Sequence, residues 1–102
     1  ACLVFDYRHF GDSDGEPRQL LSVRRQLADY DAAITYAKSL DGVDAARVVV
    51  WVSSFSGGHA LTLASRHPGL AAAISQCPFT SGIASLTALD PTLRRVRWVA
   101  TR

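Results

Sequence analysis

Methionine is missing altogether from these 102 residues, which begin at Ala1. A natural translation start would stand upstream, so the sequence is expected to be a fragment of a longer domain. Long hydrophobic runs are missing too. The longest are strand-sized, which excludes a bilayer-spanning helix. No basic stretch followed by an apolar one opens the chain, so no secretory leader is visible. Neither sign of charge dominates: 11 Lys and Arg against 9 Asp and Glu leave a formal charge of +2. That is too weak to call for nucleic acid or an anionic membrane as partner. Internal repeats and low-complexity segments are absent. What is present, 48% hydrophobic and 20% charged residues, is the composition of a single small globular domain, residues 1–102, expected to be soluble and cytoplasmic.

Cysteine is scarce, with only Cys2 and Cys77. Cys2 opens the first apolar run and Cys77 closes the third. If those strands are parallel, the thiols lie at opposite sheet edges, roughly 15–20 Å apart at strand rise. A disulfide needs a far closer approach, so both are expected to be free thiols in a reducing compartment, each a small core residue. Asp12, Asp14 and Glu16 alternate as calcium ligands do, but the spaced ligand set and closing Glu of an EF-hand loop are lacking. No metal and no cofactor are expected.

The pattern along the chain alternates strand and helix. Leu3, Val4 and Phe5 read as a buried strand, followed by a turn-rich loop from Gly11 to Pro17. Val23, Leu27, Tyr30, Ile34, Ala37 and Leu40 recur at steps of three and four, which predicts a helix over 23–40 stopped by Asp41 and Gly42. Residues 48–52 predict a central buried parallel strand, 55–66 a second helix closed by His67, Pro68 and Gly69, and 70–76 a third strand. A short helix over 83–89 follows. Asp90 as N-cap with Pro91 at the first helical position predicts another helix whose Arg94, Arg95 and Arg97 stay solvated. This order predicts an α/β fold, a short parallel β-sheet flanked by helices.

Sheets of that kind carry their chemistry at the carboxyl ends of the strands. Residues 6–15, 53–58 and 77–82 all fall there. The middle one is the most informative. An apolar run ends abruptly in Ser53-Ser54-Phe55-Ser56-Gly57-Gly58, and a helical pattern begins. A serine on such a turn has its hydroxyl raised at the sheet edge beside helix N-terminal amides, the setting of a nucleophile. Read against the G-x-S-x-G pattern, Ser54 puts Val52 where glycine is usual and Ser56 at the downstream small position. Ser56 would meet a downstream glycine at Gly58 but needs two more residues before the turn. Ser54 is preferred, because the strand then has an ordinary length. The plain alternative is a strand–turn–helix junction that merely needs small residues. If Val52 distorts the turn, Val52→Gly is expected to raise turnover with little change in fold.

With these residues in place, the chain resembles the α/β-hydrolase family. Residues 3–17, Leu-Val-Phe-Asp-Tyr-Arg-His-Phe-Gly-Asp-Ser-Asp-Gly-Glu-Pro, are similar to that family's strand-4 segment D-x-R-G-x-G-x-S-x-G, with His9 where glycine is commoner. The likeness continues through Ser54 to Ala73-Ile74-Ser75-Gln76-Cys77-Pro78, similar to strand 6, and so covers roughly residues 2–80. The resemblance implies a serine hydrolase acting on acyl esters, or related thioester or amide bonds, through an acyl-enzyme. It implies Ser54 as nucleophile and the backbone N–H of Phe55 as one oxyanion-hole donor, with the Phe55 ring walling the acyl pocket. The other oxyanion amide, the catalytic acid and the base are implied to lie outside this segment. So is the family's strand 3, which sits between strands 4 and 5.

Three histidines could substitute for the missing base. His59 is five residues after Ser54, about 140° around a helix, and is expected to pack rather than act. His67 is expected to serve the end of its helix. His9 alone follows a strand at the right sheet edge and could approach Ser54. Asp6 and Asp12 are read as turn residues rather than triad acids. The resulting expectation is a serine hydrolase with a small-molecule ester or acyl substrate, inactive as this isolated segment, with self-association through an unpaired sheet edge. The alternative is a non-catalytic, truncated or decayed module serving as a scaffold or interaction domain.

Overall fold

In the computed structural model, the structure describes residues 1–89. The helix expected from Asp90 and Pro91 lies outside them.

The first helix, α1, spans Val23–Ser39. It begins where Ser22, still extended, turns its hydroxyl back to accept the Arg25 backbone N–H. Such a cap satisfies one of the orphan donors at a helix start. α1 ends at extended Leu40, and Gly42 takes φ 79° to reverse the chain. Its buried residues Gln26, Leu27 and Ile34 share one face, as the spacing predicts.

Strand β1, Val49–Ser53, and strand β2, Ala72–Gln76, pair in parallel, with Trp51 opposite Ile74 and Ser53 opposite Gln76. Helix α2, Gly57–Arg66, is the crossover between them. A short α3, Gly82–Leu89, follows. This is the expected architecture, a small parallel sheet with helices packed on it. Leu27 and Ile34 of α1, Val50 and Val52 of β1, and Ala60 and Leu63 of α2 form the core. Ala60 and Leu63 are completely enclosed.

Three expectations are corrected. Residues 2–6 form no strand: Leu3 and Val4 are exposed, and no ladder holds them. A parallel strand exists only through its neighbours, and none lies beside this segment among the described residues. Its hold on the fold is aromatic. Phe5 and Tyr7 meet Tyr30 edge-to-face, with ring centroids 5.0 and 5.7 Å away. Next, β1 is buried on one face only. Val50 and Val52 point to the helices, whereas Val49 and Trp51 are exposed with Ile74 of β2. α1 and α2 both pack on the same side, so the second face has no cover among the described residues. Finally, the cysteines are free but not core residues. Both are exposed: Cys2 lies in the unpaired segment, and Cys77 follows β2 at φ 46°.

Candidate active site

β1 stops at Ser53, and the chain then bends within one residue. Ser54 has φ 55°, a left-handed conformation that a serine adopts at a cost of about 1–2 kcal/mol. Residues Ser54–Ser56 form a single tight turn, and Gly57 is already helical at φ −56° and ψ −33°. A strained residue persists where its surroundings over-determine it. Here the Ser54 carbonyl accepts from two amides, Gly57 N–H and Phe79 N–H, the latter at 2.9 Å. Ser75 Oγ donates to the Gly57 carbonyl at 2.6 Å. Ser54 itself is exposed.

Ser56 is placed differently. Its backbone is right-handed, φ −72° and ψ −10°, and its Oγ accepts from the Tyr7 hydroxyl at 2.7 Å. The sharp bend therefore falls on Ser54, with Ser56 half-buried one step into the helix. Val52 does not disturb it. Its side chain is only 4% exposed in the core, so Val52→Gly would empty core volume rather than relieve the turn.

The glycine pair is required by close packing. A Cβ on Gly57 would stand 2.7 Å from Pro78 Cα, and one on Gly58 would stand 2.8 Å from the Phe79 carbonyl oxygen. Both obstacles are backbone, so they yield only if the loop moves. Gly57→Ala is expected to destabilise the fold by about 1–3 kcal/mol, read from the urea unfolding midpoint. An unchanged midpoint would mean that Pro78 does not press on α2.

Phe55 lies next to Ser54, its ring 5.7 Å from Phe79 and 5.9 Å from His59. With Val23, Leu61 and Thr62 these rings line an open groove of about 400 Å³.

None of the three histidines is hydrogen-bonded to Ser54 among the described residues. His59 is buried and shares a 2.9 Å hydrogen bond with Gln26 Oε1, for which its Nε2 must carry the proton. Burial lowers its pKa from the ordinary 6.5. The unfolded chain then takes up a proton as pH falls through about 6.5 while the folded one resists. Stability from this group is present above that pH and is lost below it, at no more than about 1.4 kcal/mol per pH unit. His59→Gln should flatten the fall in urea midpoint between pH 7 and pH 5. A fall of the same steepness in the variant would assign it to other groups.

His67 pairs with Asp31 at 2.7 Å, and its backbone N–H closes α2 on the Leu63 carbonyl. His9 is buried at φ 73°, and its Nε2 is 2.7 Å from an Arg25 guanidinium nitrogen. A guanidinium can only donate, so that ring nitrogen accepts. His9 Nδ1 faces Gly15, where a Cβ would come within 2.6 Å. The ring thus fastens its own loop to α1. Asp6 also acts locally: its carboxylate accepts the Asp12 N–H at 3.0 Å and its carbonyl accepts the Ser13 hydroxyl at 2.7 Å. Asp12 is exposed. No group of three or more His, Cys, Asp or Glu is placed to hold a metal among the described residues.

The family model described as alpha/beta hydrolase fold matches residues 1–102. The chain belongs to the α/β-hydrolase fold family. Among curated members it is similar to the quorum-quenching protein AidA of Acinetobacter baumannii, 60% identical over 91 residues, covering 89% of this chain and 30% of that protein. The acyltransferase drtE of Aspergillus calidoustus is 39% identical over 92 residues, covering 88% of this chain and 30% of its own. The thiohydrolase aneE of Aspergillus aculeatus is 36% identical over 78 residues, 76% of this chain and 24% of its own. The chain thus spans less than a third of the length of these α/β-hydrolase relatives. No solved structure matches it.

Within this α/β-hydrolase segment, sequence reasoning missed Tyr7 and Gln26. Tyr7 reaches Ser56 across 49 positions, and Gln26 reaches His59 across 33. Neither pair leaves a periodic trace in the sequence. A polar Gln26 on the buried stripe of α1 was the one available sign.

Proposed function

We propose that the full-length protein is a serine hydrolase that cleaves acyl esters, or related thioester or amide bonds, through an acyl-enzyme on Ser54. The observation that carries this reading is the exposed Ser54 at positive φ between a parallel strand and a helix. The names of the relatives, an acyltransferase and a thiohydrolase among them, support acyl chemistry. In the proposed reaction Ser54 Oγ adds to the substrate carbonyl as a base takes its proton. The backbone N–H of Phe55 meets the negative charge that develops on the carbonyl oxygen. Collapse expels the alcohol, thiol or amine in protonated form and leaves the acyl group on Ser54. Water then releases the acid and restores the hydroxyl.

A serine hydroxyl without a base in reach is a poor nucleophile. The described histidines are committed to Gln26, Asp31 and Arg25. The resemblance to the family implies that the base, the acid and the second oxyanion donor lie outside this segment, and the 102-residue chain alone is expected to be inactive. Exposed free thiols fit a cytoplasmic protein. The two-stranded sheet offers an edge for pairing with another strand.

A fluorophosphonate probe on the full-length protein, followed by peptide mapping, tests the reading. The label is expected on Ser54, lost in Ser54→Ala and kept in Ser56→Ala. Label found on Ser56 would overturn the assignment. No label at all would favour a non-catalytic scaffold.

A further inference from the structure

The turn bearing Ser54 is held from three directions. Two of the ties come from β2 and the loop after it: Ser75 Oγ to the Gly57 carbonyl, and Phe79 N–H to the Ser54 carbonyl. These segments are already neighbours of β1 through the sheet. The third tie is of another kind. Tyr7, in a segment that belongs to no strand, sends its hydroxyl to Ser56 Oγ at 2.7 Å. Its ring is fixed edge-on against Phe5, Tyr30 and His59 at 5.7, 5.7 and 6.3 Å. The hydroxyl is therefore aimed before any substrate arrives.

Ser56 follows Phe55 directly, so anchoring Ser56 restrains the turn just after the Ser54–Phe55 peptide, the unit that carries the Phe55 N–H and whose carbonyl the Gly57 and Phe79 amides hold. A displacement of well under 1 Å in such a donor is enough to weaken its hold on a developing oxyanion. We infer that Tyr7 is a positioning residue: its hydroxyl, through Ser56, fixes the first turn of α2 and with it the aim of the Phe55 amide relative to Ser54 Oγ. This inference rests on Ser54 being the nucleophile. It adds a contribution from the first segment, which joins no strand among the described residues. Burial first, and the hydrogen bond with Tyr7 second, raise the pKa of Tyr30 above its ordinary value.

Tyr7→Phe keeps the ring and removes the hydroxyl, with its hydrogen bonds to Ser56 and Tyr30. In the full-length protein it is expected to lower kcat, per mole of folded enzyme, by about tenfold, with KM within about twofold of wild type. Ser56→Ala should give a similar loss, and the double variant should be no worse than either single one. The rate of fluorophosphonate labelling should fall in parallel with kcat. A merely structural bond would lower Tm and leave kcat of the folded enzyme unchanged, which would overturn the inference. So would losses that multiply in the double variant. Ser54→Ala is run alongside. If it still labels, the assignment of Ser54 as nucleophile fails, whereas a Tyr7→Phe enzyme with normal kcat and a silent Ser54→Ala removes only the role of Tyr7.

Discussion

Ser54→Ala in the full-length protein is expected to lower kcat by about 10⁴-fold or more, while KM stays near wild type. Loss of a nucleophile removes the covalent route entirely, and only oxyanion stabilisation and binding remain. The expectation depends on the local backbone. Ser54 is exposed at φ 55°, and its carbonyl is fixed by the amides of Gly57 and Phe79. Ser56, two residues on, has a helical backbone and spends its hydroxyl on Tyr7. The two serines should thus differ by orders of magnitude, with a steady-state assay on a p-nitrophenyl ester as the measurement. Equal losses at both positions would place the nucleophile outside this turn.

The second large effect concerns stability. Leu63→Ala is expected to destabilise the fold by about 2–5 kcal/mol, because Leu63 is fully enclosed where α1, β1 and α2 meet. Its neighbour Leu61 provides the control. It lies on the same helix but is 58% exposed, and Leu61→Ala should shift stability by no more than about 0.5 kcal/mol. Urea unfolding of both variants measures the contrast. Similar shifts would mean that α2 presents a different face to the sheet.

Much of the fold was legible because it is local. The three-and-four spacing from Val23 to Ile34 specifies a helix face, and that face carries the buried Leu27 and Ile34. The small residues after Val52 specify a tight turn, and a tight turn is there. What stayed illegible depends on partners far along the chain. Val49, Val50, Trp51 and Val52 are all apolar, so nothing in the run says that only Val50 and Val52 will be covered. Leu3, Val4 and Phe5 have every local property of a strand, yet strand formation needs a flanking backbone to bond with. The cysteines were misread for the same reason, since both were placed by strands assumed to be packed on every side. At the site, Ser54 could be favoured over Ser56 from strand length, but the Tyr7 hydroxyl on Ser56 could not be foreseen from 49 positions away.

The side of the sheet left bare among the described residues has a practical consequence. Val49, Trp51 and Ile74 make a greasy ridge facing water. Two copies meeting ridge to ridge would each shed that water, a gain that a net charge of +2 does little to oppose. Prepared alone, this stretch of polypeptide would carry these three side chains as a contribution to self-association that takes no part in its chemistry.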